Sequence, residues 1–514
     1  MSQSYDVIVI GAGHNGLTTA ALLGKRGRKV LVLERREQVG GLATGEEFHA
    51  GYRTAGVLHD TNRVRRWVAE ELGLGRHGLE FRPDPPPVFL PEREGEGIVL
   101  DRDPEKAAAE LSGRSEKDAG RYRDYLAFLQ RISPTVRRLS DRQPPDFFDP
   151  GFGDLFGLGR AALSLRLLGK MDMMEVLRIT PMCVADWLNE WFESDLLKAG
   201  LAGSALDGCF AGPWSPGTTA NFLWMESTVA EPIAGGPPAL IDTLEKAAVA
   251  NGVEIRCGAA VERINLDEGK VTGVTIRDGE RLEAKKVAAS CDPRHLFLDL
   301  LPSWALSATL DRNISTFRAR GSTAKVNLAL TGYPEFSYRP DLKAERIQIG
   351  ETIDDLERAF DPVKYRQFSR RPSLDIQVPT IETPELAPAG HHVFSILAHC
   401  APYELEGSWN ERSKDELYRA VVDRLAEYAP GIGEAIVGHQ VLTPFDLESI
   451  YGVSGGHLFH GEHATDQLVV RPTPECTGYR TPYEGLFLCG SGSHPGGGIT
   501  CAPGALAART IIRG

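Results

Sequence analysis

Three glycines, Gly11, Gly13 and Gly16, stand in the run GAGHNG, directly after the apolar stretch YDVIVI (5–10). Each has a separate task if a phosphate-bearing ligand is to be held. Gly11 permits a tight turn, Gly13 lets a pyrophosphate approach bare backbone, and Gly16 lets the next segment pack closely on the strand. His14 and Asn15 lie inside the same run. Free N–H groups and the positive end of a helix dipole at that point favour an anion. Glu34 lies 23 positions beyond Gly11. A carboxylate there accepts hydrogen bonds from ribose hydroxyls and repels a 2′-phosphate. These residues point to a dinucleotide, with NAD and FAD both open.

The elements that must position them are legible. YDVIVI is a β-branched run of the kind buried in a parallel sheet. LTTAALLGKRG (17–27) carries apolar residues at helical spacing and stops at Gly27, and Val30 to Leu33 is a second strand ending at Glu34. Arg35, Gly40, Gly41 and Leu42 extend the motif as ERREQVGGLAT (34–44). At the other end, GLFLCGSGSHPGGGITCAPGALAARTIIRG (485–514) reads as a strand from Leu486, a glycine turn and a helix over 505–512. That turn holds Gly490, Ser491, Gly498 and Ile499. His494 sits within it and either moves a proton near neutral pH or holds the loop by hydrogen bonds. Between the ends, a helix is expected over 239–250, a strand over 253–257 and a hairpin over 270–289. Further strands are expected at 323–330, 374–378 and 392–398, with a helix at 414–428.

The extended glycine motif and GLFLCGSGSHPGGGI (485–499) resemble the phytoene-desaturase family. That family sits among flavoproteins with two dinucleotide-binding domains, as do amine oxidases and GDP-dissociation inhibitors. The resemblance is close at both ends and loose in the middle. It implies FAD as cofactor and an α/β fold. A Rossmann-like FAD-binding domain would take 1–90, 231–300 and 441–514. An inserted α+β substrate domain would take 91–230 and 301–440, with a helical, apolar cap at 147–200. By the same resemblance, Gly490, Ser491, Gly498 and Ile499 lie along the flavin, and Val261 offers its backbone to the adenine. His59 and His460 join His494 as residues near the ring.

The implied activity is desaturation, saturation or isomerisation of C–C bonds in a small lipophilic, polyene- or isoprenoid-like substrate, with hydride passing to or from flavin N5. The electron acceptor is left open among oxygen, a quinone and a nicotinamide. Two other readings stay open: an amine or amino-acid oxidase, and a non-redox escort protein like the GDP-dissociation inhibitors. The aromatic-cage pattern of the amine oxidases is missing near the C-terminal motif.

Composition narrows the classes further. The chain has 514 residues and a net charge of −13, from 57 Lys+Arg and 70 Asp+Glu. Nucleic acid is therefore not the expected partner. No run of about 18 apolar residues suggests a membrane span. The N-terminus lacks a basic, then apolar, leader, so a cytoplasmic location is expected. Eight cysteines include no CxxC pair, which points to reduced thiols rather than a zinc or dithiol centre. His457, His460 and His463 crowd into GGHLFHGEH, yet no metal is expected. The stretch 157–177 mixes Leu, Ala and Met with Arg160, Arg166 and Lys170. It reads either as a basic amphipathic helix on a membrane surface or as a cap on the substrate cavity. Oligomeric state is left open.

Overall fold

The computed structural model describes residues 4–145 and 151–513. The expectations placed on 1–3, on 514 and on the first part of the cap, 147–150, lie outside the described residues.

The first sheet starts from β1 (Ser4–Ile10), which turns into α1 (His14–Lys25) and returns as β2 (Val30–Leu33). Further along come α2 (Gly236–Ala250), β3 (Glu254–Arg256), β4 (Val261–Asp267), β5 (Lys270–Ile276) and β6 (Arg281–Ala289). The C-terminus adds β7 (Leu486–Leu488) and α3 (Ala502–Arg513). The sheet order is β3-β2-β1-β6-β5-β4, with β7 also paired to β6. Strands β3, β2, β1, β6 and β7 run parallel, and β4, β5 and β6 form an antiparallel meander. The apolar runs follow from this placement. Val7 and Val9 enter a core shared with α1, whereas Ile8 and Ile10 enter a second core on the other face. A strand covered on both sides has no use for polar alternation. Helix α1 is buried along all but its last residue, because α2 and α3 both pack on it.

The second sheet runs in the order 436–442, 323–330, 392–399, 374–377, 346–349, 88–92, 95–100. It is antiparallel except where 346–349 pairs with 88–92. Its strands cross the boundaries expected at 90 and 440. Here the two-residue period matters. Ala324, Val326, Ile347, Ile349, Leu374, Ile376, Phe394 and Ile396 fill one core under helix Glu411–Ala426. Lys325, Arg346, Asp375, Ser395 and His399 therefore fall on the opposite face.

Helices between Pro104 and Glu226 cover the far end of this sheet. Tyr125, Trp187 and Phe222 are among the side chains of their core. The expected amphipathic helix at 157–177 is instead two helices, Phe152–Arg166 and Lys170–Ile179, broken at Gly169, whose φ is +88°. The first has no buried apolar face. Leu155, Phe156 and Leu163 are exposed while Ser164 is buried. The core beneath is already filled by larger rings, so these side chains stay outside.

Candidate functional site

The turn between β1 and α1 forms one wall of a groove. Gly11 takes φ +93°, a conformation that only glycine adopts cheaply. Its N–H donates to Leu33 O at 2.8 Å, and Gly40 N–H donates to Ala12 O at 2.8 Å, which draws the second glycine pair onto the turn. Gly16 does not line the groove. A Cβ there would stand 2.0 Å from Gly11 O, so its absence is what lets α1 close on the turn. Gly13 differs again: a Cβ there meets nothing within 4 Å. Its bare face opens onto the groove together with His14 and Asn15. No side chain caps the start of α1. The first-turn N–H groups are left for an anion, which the helix dipole also favours.

Glu34 closes the groove at the end of β2. It is 6% exposed. Its Oε2 accepts from Ala12 N–H at 2.8 Å and its Oε1 from Arg36 N–H at 2.9 Å. Each oxygen keeps a lone pair for a hydroxyl. Arg35 lines the groove and donates to the carbonyls of Ser449 and Ile450. Gly40, Gly41, Leu42 and Val261 complete this wall.

The C-terminal loop meets the first turn directly. Asn15 Nδ2 donates to Ser491 Oγ at 3.1 Å, and Thr19 Oγ1 donates to Gly504 O at 2.9 Å. Ser491 lines the groove, but Gly490 does not. Gly490 packs on β6, where a Cβ would stand 2.4 Å from Ser290 O. Gly498 and Ile499 line a second cavity. Groove and cavity share Leu58 and Leu458 in their walls.

The three candidate histidines separate. His494 lines neither space. It is buried edge-on against Trp224, with Nε2 3.1 Å from Leu139 O, while its carbonyl accepts from Tyr479. Burial lowers it to about 4, so it stays neutral and ties the loop to helix Glu116–Ser140. His460 lines the groove in a left-handed conformation, φ +55°, and its Nδ1 is buried without a partner among the described residues. His14 has the same unspent character at Nε2. Burial, then the nearby His460, lowers His14 to about 4. Buried polar atoms seldom go unpartnered, so both imidazoles suit a ligand in the groove. His457 and His463 are spent on backbone. His457 Nδ1 accepts from Phe459 and Gly461 N–H, and His463 Nε2 accepts from Gly497 N–H at 3.0 Å.

His59 lines the second cavity. Its Nδ1 lies 3.1 Å from Lys325 Nζ and its Nε2 lies 3.8 Å from Asp375. Burial, with Lys325 beside it, lowers His59 to about 4. Lys325 is fully buried, donates to Ser395 Oγ at 2.7 Å and is pushed down to about 7 by burial. Sequence reasoning passes over Lys325, Asp375, Arg346, Arg63 and Asp207. A signal is available for two of them: Lys325 in TAKVNLAL and Asp375 in SLDIQV are lone charges inside apolar strands.

All eight cysteines are free thiols. Among the described residues no group of His, Cys, Asp or Glu is placed to hold a metal ion.

The sequence matches the flavin containing amine oxidoreductase family over residues 16–508. It is 33% identical to the rat protein called pyridine nucleotide-disulfide oxidoreductase domain-containing protein 2, over 100% of this chain and 94% of the relative. It is 30% identical to a limonene dehydrogenase component from Castellaniella defragrans, over 99% and 94%. In fold it is similar to an oxidoreductase from Methanosarcina mazei, with a TM-score of 0.60 at 19% identity over the whole of both chains.

Proposed function

The chain belongs to the flavin containing amine oxidoreductase family, and we propose that within it this FAD-dependent, phytoene desaturase-like oxidoreductase acts on C–C bonds of a lipophilic, isoprenoid-like substrate. The reaction would be a desaturation, a saturation or an isomerisation. The observation that carries this reading is the junction of the two spaces. A glycine-walled groove suited to a dinucleotide opens beside a cavity that Leu58, Leu397, Leu458, Phe459 and Ile499 help to wall. The full-length likeness to the limonene dehydrogenase component supports a terpene-like skeleton.

The residues fit FAD. The Gly13 face and the uncapped start of α1 would take the pyrophosphate. Glu34 would take the ribose hydroxyls, and Val261 the adenine. FAD, when bound, supplies a hydride acceptor or donor at N5. The chain's own part is to orient the substrate carbon and keep out water. The apolar walls at Leu58, Leu458, Phe459 and Ile499 serve that end. His460 and His14, neutral and unspent, would hold hydrogen bonds to the cofactor rather than carry charge. His494 would hold the loop. No nucleophile is required, and Cys291, pushed well above the usual thiol range by burial, is unsuited to be one.

The second reading is an amine oxidase, which the family name favours. Against it, Phe459 is the one phenyl or indole ring in the cavity wall among the described residues. The escort role is set aside, because the family and the relatives are oxidoreductases. We also assign the exposed stretch beyond residue 151 to contact with a membrane surface. Support comes from Phe152, Leu167 and Met171, which are 88%, 74% and 80% exposed. No helix among the described residues is long and apolar enough to cross a membrane.

Anaerobic mixing of the FAD-loaded protein with separate isoprenoid and amine panels tests the reaction class. With isoprenoids and not with amines, a desaturation should bleach the oxidised flavin band, a saturation should restore the band of pre-reduced protein, and an isomerisation should give a rearranged product with the band unchanged. Bleaching by amines alone, with peroxide on readmission of air, would establish the second reading.

A further inference from the structure

The second cavity holds charges for which a hydrocarbon has no use. Arg63 lines it and is only 8% exposed. Its Nε donates to Met225 O at 3.4 Å. Its terminal amino groups make no hydrogen bond among the described residues. The nearest acids, Asp60 and Asp207, each stand 3.8 Å away. A guanidinium is a rigid fork of donors, matched to a planar oxyanion. Here the fork is nine-tenths buried and is held only by these two long ion pairs.

The groups around it fit the same ligand. Asp207 lines this cavity and an adjoining one. Burial pushes it up to about 7, against the pull of Arg63 and Arg346 and with Asp375 and Asp60 adding to the rise. His399 faces it from the sheet and is lowered by burial. Near neutral pH, Asp207 is thus able to carry a proton and donate it. Arg346 leans on Asp60 at 3.4 Å and Asp375 at 3.5 Å, so those two acids are engaged. Arg346 Nε and Asp375 Oδ1 are buried without partners among the described residues. Networks left incomplete in this way normally receive water, an ion or a ligand. An ammonium would meet Arg63 in this cavity, with Arg346 in the adjoining one and its acids already engaged. An alcohol would use one donor of the fork and leave the other. A carboxylate takes both, and a proton from Asp207 as well.

We propose that the substrate carries a carboxylate, received by the terminal amino groups of Arg63 with Asp207 as a second donor, while its apolar body lies along Leu58, Leu397 and Leu458 toward the groove. This deepens the reading of this cavity as the substrate site and rests on it.

Calorimetric titration of the FAD-loaded full chain with geranic acid, geraniol, geranylamine and myrcene tests it. At about pH 6, where the acid is ionised, it should bind at least about tenfold more tightly than the other three. Arg63→Gln should bring the acid down to the level of the alcohol, with flavin content in the folded protein unchanged. Arg63→Lys should recover part of the preference. Raising the pH through 7 should weaken acid binding in the wild type, as Asp207 ionises and the buried Lys325 beside His59 loses its charge, and Asp207→Asn should reduce that loss. Equal binding of acid and alcohol, tighter binding of the amine or the hydrocarbon, or an Arg63→Gln protein that keeps the acid preference would each overturn the proposal. If Arg63→Gln does not fold, Asp207→Asn decides: the same loss with pH as the wild type overturns it. Flavin bleaching separates the two readings. Selective acid binding with no isoprenoid changing the flavin band of oxidised or pre-reduced protein, and none converted to product, leaves this inference and removes the reaction on C–C bonds. Bleaching by myrcene as readily as by the acid does the reverse.

Discussion

The groove and the cavity beside it are built by opposite means. The groove is largely made of backbone: a bare glycine face, an uncapped helix start and one carboxylate pinned by two amides. Most of these parts come from short, continuous runs of sequence. The cavity is made of side chains that converge from residues 58–63, 207–209, 321–399 and 456–499. Its charges pair loosely, at 3.4–3.8 Å. Each region is therefore fragile in its own way. A backbone-made site fails when a side chain is added. A side chain-made site fails when one is removed.

Gly16 should show this most strongly. Its Cβ would stand 2.0 Å from Gly11 O, so in Gly16→Val α1 cannot close on β1. Soluble protein should then carry less than about a tenth of the wild-type flavin, as severe overpacking against backbone implies. Absorbance and circular dichroism check this. Normal flavin content would show that the groove tolerates more than its geometry suggests.

Asp375→Asn probes the other region. It removes the anion between Arg346 and His59. Burial works to raise the Asp375 pKa, yet Arg346 and His59 hold it well below the usual carboxylate range, which marks the ionised form as the working one. Uncoupling a buried pair costs about 3–5 kcal/mol, with the lower end expected because Asp375 keeps some exposure to the cavity. The melting temperature should fall by several degrees, while FAD affinity in the folded fraction stays within about twofold. A change in affinity as large as the change in stability would merge the two regions that the contrast separates.

Gly13→Ala should act in the reverse sense. The added Cβ meets no protein atom, and φ −69° suits alanine. The apoprotein should melt as the wild type does, but FAD should bind about tenfold more weakly, because the methyl occupies the face left for the pyrophosphate. Titration of apoprotein with FAD by fluorescence quenching reads this out. Unchanged affinity would move the pyrophosphate off that face.

A smaller change is expected at Lys325. Its folded pKa of about 7 lies below the ordinary 10.5. The unfolded chain therefore binds more protons between those values, and stability rises with pH across that window. The penalty is full below pH 7 and gone above 10.5. Lys325→Met should melt roughly 1–3 °C higher near neutral pH, with the difference shrinking as pH rises toward about 10. A gain that does not depend on pH would mean that packing, rather than charge, limits this site.

The legibility of the two regions follows the same contrast. YDVIVI, GAGHNG and Glu34 are readable because a turn, a helix start and a strand end are local events with local residue requirements. The hairpin over 270–289 and the strand at Thr323–Leu330 are readable for a related reason, since periodicity reports which face of a strand is apolar. Local reading reaches its limit at 157–177. There the alternation of Leu with Arg suggests one amphipathic helix, but the neighbouring core of Tyr125, Trp187 and Phe222 leaves no apolar face for it to cover. It also does not sort His494 from His460. Both lie in glycine-rich loops, but the imidazole of one reaches Leu139 and that of the other reaches the groove.

The class of fold, the presence of a dinucleotide groove and the joining of both chain ends around it are written in the residues themselves. They depend on glycines and apolar runs whose requirements are met within a few positions. What stands in the cavity is a product of tertiary structure alone. Lys325, Arg346 and Asp375 fall on the polar face of their strands by simple alternation, but nothing in alternation says that His59, Arg63 and Asp207 will meet them there. That meeting requires two sheets and a helical layer to close around one space, and its chemistry is set by the desolvation that closure brings.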